Sequence, residues 1–404
     1  MSAAVTGYQT PASANAVDGA VYRYRAESTD LSQWEIGYGA YTVSSTTLAR
    51  TTILFNSSGG ASAINFSAAP QVAVVALAED LVFPHTPQGR LTLTSATPVM
   101  AASATAATTI YYAPFTGAYA PINKGGLLTL QKFTSSATDA VGLTVALGSN
   151  WAASSNYDWF IINDAATIRL GSGPDWSAGA VAGSNTEGAS SRGTGAGSTE
   201  LQICNGILTN KNSITIRYGN ASTVTIAANE ATYVGTTRTG SAGQISFTFG
   251  SSASGGGAGS LYVWNAYNQV EIKTIVTDST SSWTYTSATV RAADNSATMR
   301  VSFITGLAQG FIEAKYNQLV RVAAVIGASA RIGVALNSTT VLDKQGQSTN
   351  NTTTGTADNP AYGANTYAPQ LGAHYISANE RGDGTNSATF FGAAFQGLTV
   401  SLPM

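Results

Sequence analysis

The sequence predicts an all-β fold, with a small antiparallel amino-terminal module followed by a large β-sandwich domain of jelly-roll type. Short alternating apolar and polar runs, bounded by glycine, asparagine and serine, recur along the chain as they do in strands joined by turns. Apolar residues at helical spacing are missing. Hydrophobic residues make up 44% of the chain and aromatic residues 9%, so the chain can bury a core and is not of disordered composition.

The amino-terminal module is expected over residues 1–85. Tyr22 and Tyr24 fall on one face of its first strand. Gly37 and Gly39 interrupt the aromatic run WEIGYGAY, a pattern typical of a strand that another backbone or side chain approaches closely. The segment NSSGG (residues 56–60) predicts a turn. Together these runs predict four or five antiparallel strands without a nucleophile and base in one place.

A boundary is expected near residues 80–90, where EDLVFPHTPQGR concentrates charge and proline. The large domain then covers residues 86–404, and a subdivision near residues 240–260 is left open. Within it, Asn205-Gly206 is the strongest hairpin signal, because both residues tolerate positive φ. Gly219-Asn220 can supply the turn after the alternating run NSITIRY.

Three glycine-rich or polar stretches of the large domain are expected to be loops. They cover residues 171–200, 250–260 and 343–366. The first contains too much glycine for a strand, and the second resembles a flexible tip. Long loops commonly form binding surfaces or contacts between subunits.

Charge and composition exclude several classes of protein. Only 10% of residues are charged and the formal net charge is −2, with no basic block to follow a phosphate backbone, so nucleic-acid binding is not expected. The start MSAAVTGYQTPASANAVDG lacks the basic and apolar regions of a signal peptide. The longest uncharged run, between Arg90 and Lys124, is broken by prolines and predicts no membrane span. The lone cysteine, Cys204, excludes an intrachain disulfide framework and is expected to be small and buried.

Spaced residues in the amino-terminal module resemble a module of virion proteins from tailed bacteriophages, gene transfer agents and prophages. The match covers roughly residues 20–77. Its residues are Trp34, Glu35, Gly37, Gly39, Tyr41, Leu48, Arg50, Thr51, Asn56, Gly59, Gly60, Asn65 and Phe66. Segments of the large domain, among them YDWFIINDAATIRLGSGPDW, are similar to a β domain that follows this module in fibre-like proteins. The resemblance implies a trimeric or otherwise multimeric fibre or spike that docks through its amino-terminal module.

Acidic residues near tryptophans raise the alternative of a polysaccharide-degrading spike, since such enzymes use paired carboxylates about 5–10 Å apart. The acids are Asp158, Asp164 and Asp175, and the tryptophans are Trp151, Trp159 and Trp176. The competing interpretation is that these tryptophans fill the core or an interface and that the acids cap turns. No regular coil repeat of a parallel β-helix is present.

No metal or other cofactor is predicted. His85 and His374 are the only histidines and do not lie at a metal-binding spacing. Two segments, DNSATMR and NERGDGTNSATF, carry acids and amides that can hold calcium through oxygen atoms. The second is the better candidate, with Asp383 and Asn386 close together, but it lacks the EF-hand pattern.

Trp176 and Tyr362 are the best candidates for binding a glycan without cleaving it, because aromatic rings offer platforms to sugar faces. Aromatic residues that fill a subunit interface are the competing explanation. The expected function is therefore that of a non-enzymatic virion component, a tail fibre or spike that helps attach the particle to its host by binding a surface polysaccharide. The alternatives are a depolymerase and a purely architectural head or tail protein. Low charge and long apolar strands favour a closed homo-oligomer, with three copies implied by the resemblance.

Overall fold

The computed structural model describes residues 3–5, 7–76, 86–125, 127–136 and 138–404. These residues form 33 strands and two short 3₁₀ turns, Ala293–Asn295 and Ala393–Phe395, which confirms the predicted all-β class. The chain divides into two compact units. We call Met1–Pro84 with Gly125–Leu127 the N-terminal unit, and His85–Lys124 with Leu128–Met404 the large unit.

The N-terminal unit holds a five-stranded antiparallel sheet, ordered β3-β2-β1-β5, with β4 also paired to β2. Its strands are β1 (Val21–Glu27), β2 (Trp34–Thr42), β3 (Thr47–Leu48), β4 (Thr52–Asn56) and β5 (Gln71–Val74). The predicted alternation places Tyr24, Ala26 and Tyr41 in the core of this unit.

The first part of the large unit contains a three-stranded sheet, a two-stranded sheet and most of an eight-stranded sheet. Its strands are β6 (Gly89–Thr92), β7 (Ala104–Ala107), β8 (Thr109–Pro114), β9 (Tyr119–Lys124), β10 (Leu127–Lys132), β11 (Leu143–Ala146), β12 (Asn156–Asp164), β13 (Thr167–Asp175), β14 (Leu201–Cys204), β15 (Ile207–Asn210), β16 (Ile214–Arg217), β17 (Thr223–Ile226) and β18 (Ala231–Arg238).

The second part contains the strands of a further eight-stranded sheet and a seven-stranded sheet. Its strands are β19 (Ile245–Thr248), β20 (Ser252–Ala253), β21 (Gly259–Leu261), β22 (Val263–Asn265), β23 (Glu271–Asp278), β24 (Ser282–Tyr285), β25 (Arg291–Ala292), β26 (Arg300–Thr305), β27 (Ile312–Val322), β28 (Ser329–Leu336), β29 (Lys344–Thr349), β30 (Ala357–Tyr367), β31 (Gly372–Arg381), β32 (Ala388–Phe391) and β33 (Gln396–Pro403).

The two eight-stranded sheets and the seven-stranded sheet share one hydrophobic core within the large unit. The first eight-stranded sheet is ordered β14-β15-β18-β12-β13-β16-β17, with β22 beside β18. The second is ordered β29-β28-β31-β26-β21-β19-β7, with β25 beside β31, and it packs against the seven-stranded sheet. The seven-stranded sheet is ordered β20-β23-β33-β27-β32-β24, with β30 beside β27. β7 pairs with β19, and β18 pairs with β22. Strands that precede residues 240–260 therefore share sheets with strands that lie within or after this region.

The Asn205-Gly206 hairpin is confirmed. Cys204 pairs with Ile207, and Asn205 and Gly206 adopt φ angles of 50° and 82°, as a two-residue turn of this type requires. Cys204 itself is half-buried rather than buried, with its Sγ 3.5 Å from Asn123 Nδ2. The turn at Gly219-Asn220 is also present, between β16 and β17.

The loop prediction is confirmed for residues 176–200, which lie between β13 and β14, and was wrong for much of the remaining two stretches. β13 extends through Gly171 and Gly173, where a Cβ would overlap side chains of neighbouring strands and loops, so glycine serves close packing there. Residues 250–260 form β20 and β21 around a bridge between Ser251 and Gly257. The polar stretch 343–366 contains β29 and most of β30, which pairs along the whole length of β27.

Candidate functional site

Two residues that carry the resemblance, Glu35 and Arg50, meet in the N-terminal unit at the carboxylate of Glu35, which lies on β2 and is fully buried. Its Oε1 accepts hydrogen bonds from the Tyr24 hydroxyl (2.8 Å) and from Arg50 Nε (2.6 Å). Its Oε2 accepts from the Ile64 amide (2.9 Å) and from Arg50 Nη2. Arg50 Nη2 also donates to the Ile64 carbonyl at 2.6 Å. We call Tyr24, Glu35, Arg50 and Ile64 the Glu35 cluster.

These bonds decide the charge state of the Glu35 cluster. Burial acts to raise the pKa of the Glu35 carboxyl, but hydrogen bonds from Arg50, Ile64 and Tyr24 hold that pKa below its ordinary value. Burial and the neighbouring Glu35 carboxylate raise the pKa of Tyr24 to about 12. Glu35 is therefore an ion-paired carboxylate at neutral pH. Both of its oxygen atoms accept hydrogen bonds from donors within the N-terminal unit.

Two glycines that carry the resemblance have a steric role beside this cluster. A Cβ at Gly37 would overlap the carbonyl oxygen of Thr52, and one at Gly39 would overlap the carbonyl oxygen of Ala49. Both glycines therefore let the chain that follows β2 approach it closely.

Other residues of the resemblance fix the turns and loops of the unit. The Asn56 side-chain oxygen accepts from the amides of Ser58 and Gly60, which closes the predicted turn. The Arg50 guanidinium lies 5.7 Å from the centre of the Phe66 ring, and Trp34 packs against Phe55. A cavity of about 320 Å³ lies beside the Glu35 cluster, lined also by Leu48, Asn65 and Phe66 among others. The arrangement stabilises a fold and presents a recess, but it does not bring a nucleophile and a base together.

Each acid proposed for a depolymerase is bonded to a partner other than a second acid. Asp158 is fully buried and bonds to Arg192 at 2.6 and 2.8 Å and to the Thr236 hydroxyl at 2.6 Å. Asp164 bonds to Arg169 at 2.8 Å, and Asp175 accepts from Ser177 in a turn. Since Asp158 and Asp164 are six residues apart on β12, their backbones are separated by roughly 20 Å. These acids thus serve ion pairs and turns.

The expectation that Trp176 is an exposed sugar platform was wrong. Trp176 is fully buried, and the guanidinium of Arg192 lies 4.4 Å from its ring centre. Trp151 and Trp159 are also fully buried and stack on each other with 6.4 Å between ring centres. The glycine-rich sequence around Trp176 predicted an exposed loop and gave no sign that the Trp176 side chain would be buried.

Tyr362 lies on β30 with 55% of its surface exposed. Strand register places it opposite Asn317 of β27, which is in turn opposite Gly397 of β33. Directly paired residues point to the same face of a sheet. The Tyr362 ring, the exposed Asn317 amide and Gly397, which has no side chain, therefore form one row across three strands. We call this row, with the neighbouring Lys315 and Glu313 on the same strand face, the Tyr362 face.

The Tyr362 face has the shape and chemistry of a shallow binding surface. A depression of about 300 Å³ lies along it, lined by Glu313, Ala314, Lys315, Ala364, Asn365 and Thr366. The space above Gly397 is bordered by methyl groups of Ile275 and Thr277. An aromatic ring beside amide, hydroxyl and charged groups can bind a ligand that alternates apolar faces with hydroxyls. Asn317 and Gly397 were missed in the sequence, because only the pairing of distant strands brings them to Tyr362.

The residues considered for metals have other roles. Asp383 Oδ1 accepts from the amides of Thr385 and Asn386, and Oδ2 accepts from Ser329 N and Asn386 Nδ2. His374 is buried between Asn337 and the Leu371 carbonyl, whereas His85 lies outside the described residues. Within the described ranges, no group of three or more His, Cys, Asp or Glu residues could hold a metal ion. No helix in the same ranges is long and apolar enough to cross a membrane.

Comparison with known proteins leaves this chain without an assigned family. No protein-family model and no curated protein matches it. Among solved structures, the insecticidal delta-endotoxin Cry8Ea1 from Bacillus thuringiensis is similar over 78% of this chain with 9% sequence identity. The chain spans about half of that toxin, 52% of its length, and the TM-score of 0.16 is too low to support an argument from fold.

Proposed function

We propose that this protein is a non-enzymatic component of a bacteriophage or phage-like particle, a tail fibre or spike that attaches the particle to its host. The N-terminal unit docks on other virion proteins, and the large unit contacts a polysaccharide on the host surface. The protein acts on the assembled virion, without nucleic acid, cofactor or membrane insertion.

Support for the docking role comes from the Glu35 cluster. Glu35 and Arg50, which both carry the resemblance, form the ion pair of this network. Gly37 and Gly39, which also carry it, allow the close strand contacts beside the network. A module whose distinctive residues define its fold can be joined to different large domains while keeping one attachment surface. This use fits the resemblance better than catalysis does, since Glu35 is wholly committed to internal bonds.

The observation that carries the glycan-binding role is the row of Tyr362, Asn317 and Gly397 on the outer face of the seven-stranded sheet. A sugar ring can stack on the exposed tyrosine while its hydroxyls bond to Asn317 and neighbouring polar groups. Antiparallel sheets often expose a polar face to water, but an exposed tyrosine midway along the edge strand β30 favours a ligand.

The test is to incubate the full-length protein with purified capsule or lipopolysaccharide of the host, and to measure both binding and release of new reducing ends. We expect binding without cleavage. Tyr362→Ala should weaken binding about tenfold or more, equivalent to about 1.4 kcal/mol. Phe395→Ala removes an aromatic ring of equal exposure, 55%, and should leave binding unchanged.

Other outcomes identify the alternatives. New reducing ends would indicate a depolymerase, and neither binding nor cleavage would indicate an architectural protein. Binding that is equally reduced by both substitutions would remove the Tyr362 face from the proposal.

We also propose that the protein is a homotrimer. Its low charge content, 10% of residues, leaves few groups to keep a large surface hydrated, and closed assembly covers uncharged faces and sheet edges. Light scattering should give about three times the monomer mass of 41.3 kDa. A monomer at micromolar concentration would contradict the trimer and would favour a solvent-exposed Tyr362 over one buried between subunits.

A further inference from the structure

The end of β23 buries a carboxylate that has too few donors. Asp278, the last residue of β23, is fully buried. Its Oδ1 accepts hydrogen bonds from the amides of Gly255 (2.9 Å) and Thr280 (2.8 Å). Its Oδ2 is equally buried but has no hydrogen-bond partner among the described residues. An ionised oxygen without a partner in the protein interior is costly, so it needs a proton or a cation nearby.

A second carboxyl group approaches the same oxygen atoms. Asp294, in the 3₁₀ turn Ala293–Asn295, lies within hydrogen-bonding reach of the Asp278 carboxyl and of the Thr280 hydroxyl. Asp294 is half-buried, so this side of the pair is open to solvent. Two carboxylates cannot bond to each other directly, and the contact therefore concentrates negative charge at one point.

An independent residue adds a third oxygen. Val276 of β23 pairs with Leu398 of β33, so two steps along the antiparallel ladder Gln396 comes beside Asp278 on the inner face. Gln396 is 4% exposed, and its Oε1 is buried with no partner in the part of the chain that the structure describes. Its amide nitrogen lies 3.9 Å from Met299 Sδ, close to the Gly255-Gly256 turn that bonds to Asp278.

The charges around the pair do not cancel. Glu380 accepts from the Trp283 indole and forms an ion pair with Arg291 at 2.7 Å. The guanidinium of Arg291 is therefore bonded to Glu380 and not to the carboxyl groups of Asp278 and Asp294.

We propose that Asp278, Asp294 and Gln396 bind a divalent cation of the calcium type. Hard cations prefer carboxylate and amide oxygens, and calcium accepts irregular sets of such ligands completed by water. Here two carboxylates neutralise the ion, the amide oxygen of Gln396 gains a partner, and the solvent-facing side at Asp294 admits the remaining waters. The segment DNSATMR therefore suits calcium better than the segment around Asp383, whose oxygens are already satisfied by four donors.

The test uses the full-length protein, stripped with a chelator and titrated with CaCl₂ at pH 7.5 by calorimetry and by thermal unfolding. We expect a dissociation constant of about 10⁻⁴–10⁻³ M or tighter. Saturating calcium should then raise the unfolding midpoint by about 3 °C or more. Asp278→Asn keeps an oxygen for the Gly255 and Thr280 amides and supplies a donor toward Asp294. It should abolish the calcium shift without preventing folding.

Asp383→Asn is the matched control, because it removes one acid from another turn of the large unit and should bind calcium within about twofold of the original protein. If Asp278→Asn does not fold, Asp294→Asn replaces it, since its side chain is partly in solvent. Absence of calcium binding by the original protein, or an equal calcium response in Asp278→Asn, would overturn the proposal. The first of these results would leave the two carboxyls sharing a proton.

Discussion

Arg50 forms a bidentate ion pair with the buried Glu35 carboxylate, with Nε 2.6 Å from Oε1 and Nη2 bonded to Oε2. The two side chains differ in exposure, since Glu35 is fully buried and 41% of the Arg50 side chain is exposed. Loss of the Glu35 charge would thus leave the Tyr24 hydroxyl and the Ile64 amide without a strong acceptor. The partly exposed Arg50 guanidinium would instead form hydrogen bonds to water.

Glu35→Gln should lower the free energy of unfolding of the N-terminal unit by about 2–3 kcal/mol, because several hydrogen bonds to a charged acceptor are weakened. Faster hydrogen exchange in β2 and in residues 62–66 of the full-length protein is the measurement. Glu27→Gln is the control, because its partner Arg25 is largely exposed and such pairs contribute less than about 1 kcal/mol. Equal effects of the two substitutions would contradict a special role for Glu35.

Gly39→Ala should destabilise the N-terminal unit by about 1–3 kcal/mol or more, because the new Cβ would overlap the Ala49 carbonyl and force the chain after β2 away. Gly60→Ala meets open space and should change stability by less than about 0.5 kcal/mol. Thermal unfolding monitored by limited proteolysis of the N-terminal unit checks both. An unaltered Gly39→Ala variant would show that β2 tolerates a side chain there.

Asp158→Asn should destabilise the large unit by about 3–5 kcal/mol, because it leaves the buried guanidinium of Arg192 without its counterion. Asp164→Asn breaks a partly exposed pair with Arg169 and should cost less than about 1 kcal/mol. Denaturant unfolding of both variants measures the difference. A folded, fully stable Asp158→Asn protein would reopen a chemical role for this acid.

His374 should make the large unit less stable as the pH falls. Its Nε2 donates to the Leu371 carbonyl (3.0 Å), so Nδ1 accepts from Asn337 Nδ2 (2.8 Å), and the Tyr375 amide holds the Asn337 oxygen away. Burial lowers the pKa of His374 below 6.5, although the Leu371 bond and Glu187 act to raise it.

The neutral ring therefore contributes stability that is complete above about pH 6.5 and is lost as the pH falls through the lower folded pKa. The original protein and His374→Gln, unfolded at pH 7.5 and at pH 5, give the measurement. Their difference in stability should shrink at pH 5. A constant difference at the two pH values would show that His374 does not change its protonation on unfolding.

The sequence predicted what depends on near neighbours. Alternation identified the all-β class, and Asn205-Gly206 identified a hairpin, because both features are local. The ring of Trp176 contacts Arg192, which lies later in the same glycine-rich stretch, and glycines in β13 serve contacts with other strands. The strand pairing that places Asn317 and Gly397 beside Tyr362 joins residues far apart in the chain and leaves no local signal.

The most direct test of the virion proposal is particle incorporation. Host cells producing particles would express either the full-length protein or a variant lacking residues 1–85, and the fraction that co-sediments with purified particles would be measured. The account predicts that the full-length protein sediments with particles and that the truncated one stays soluble and folded. Normal incorporation of the truncated protein, or no incorporation of the full-length protein, would contradict it.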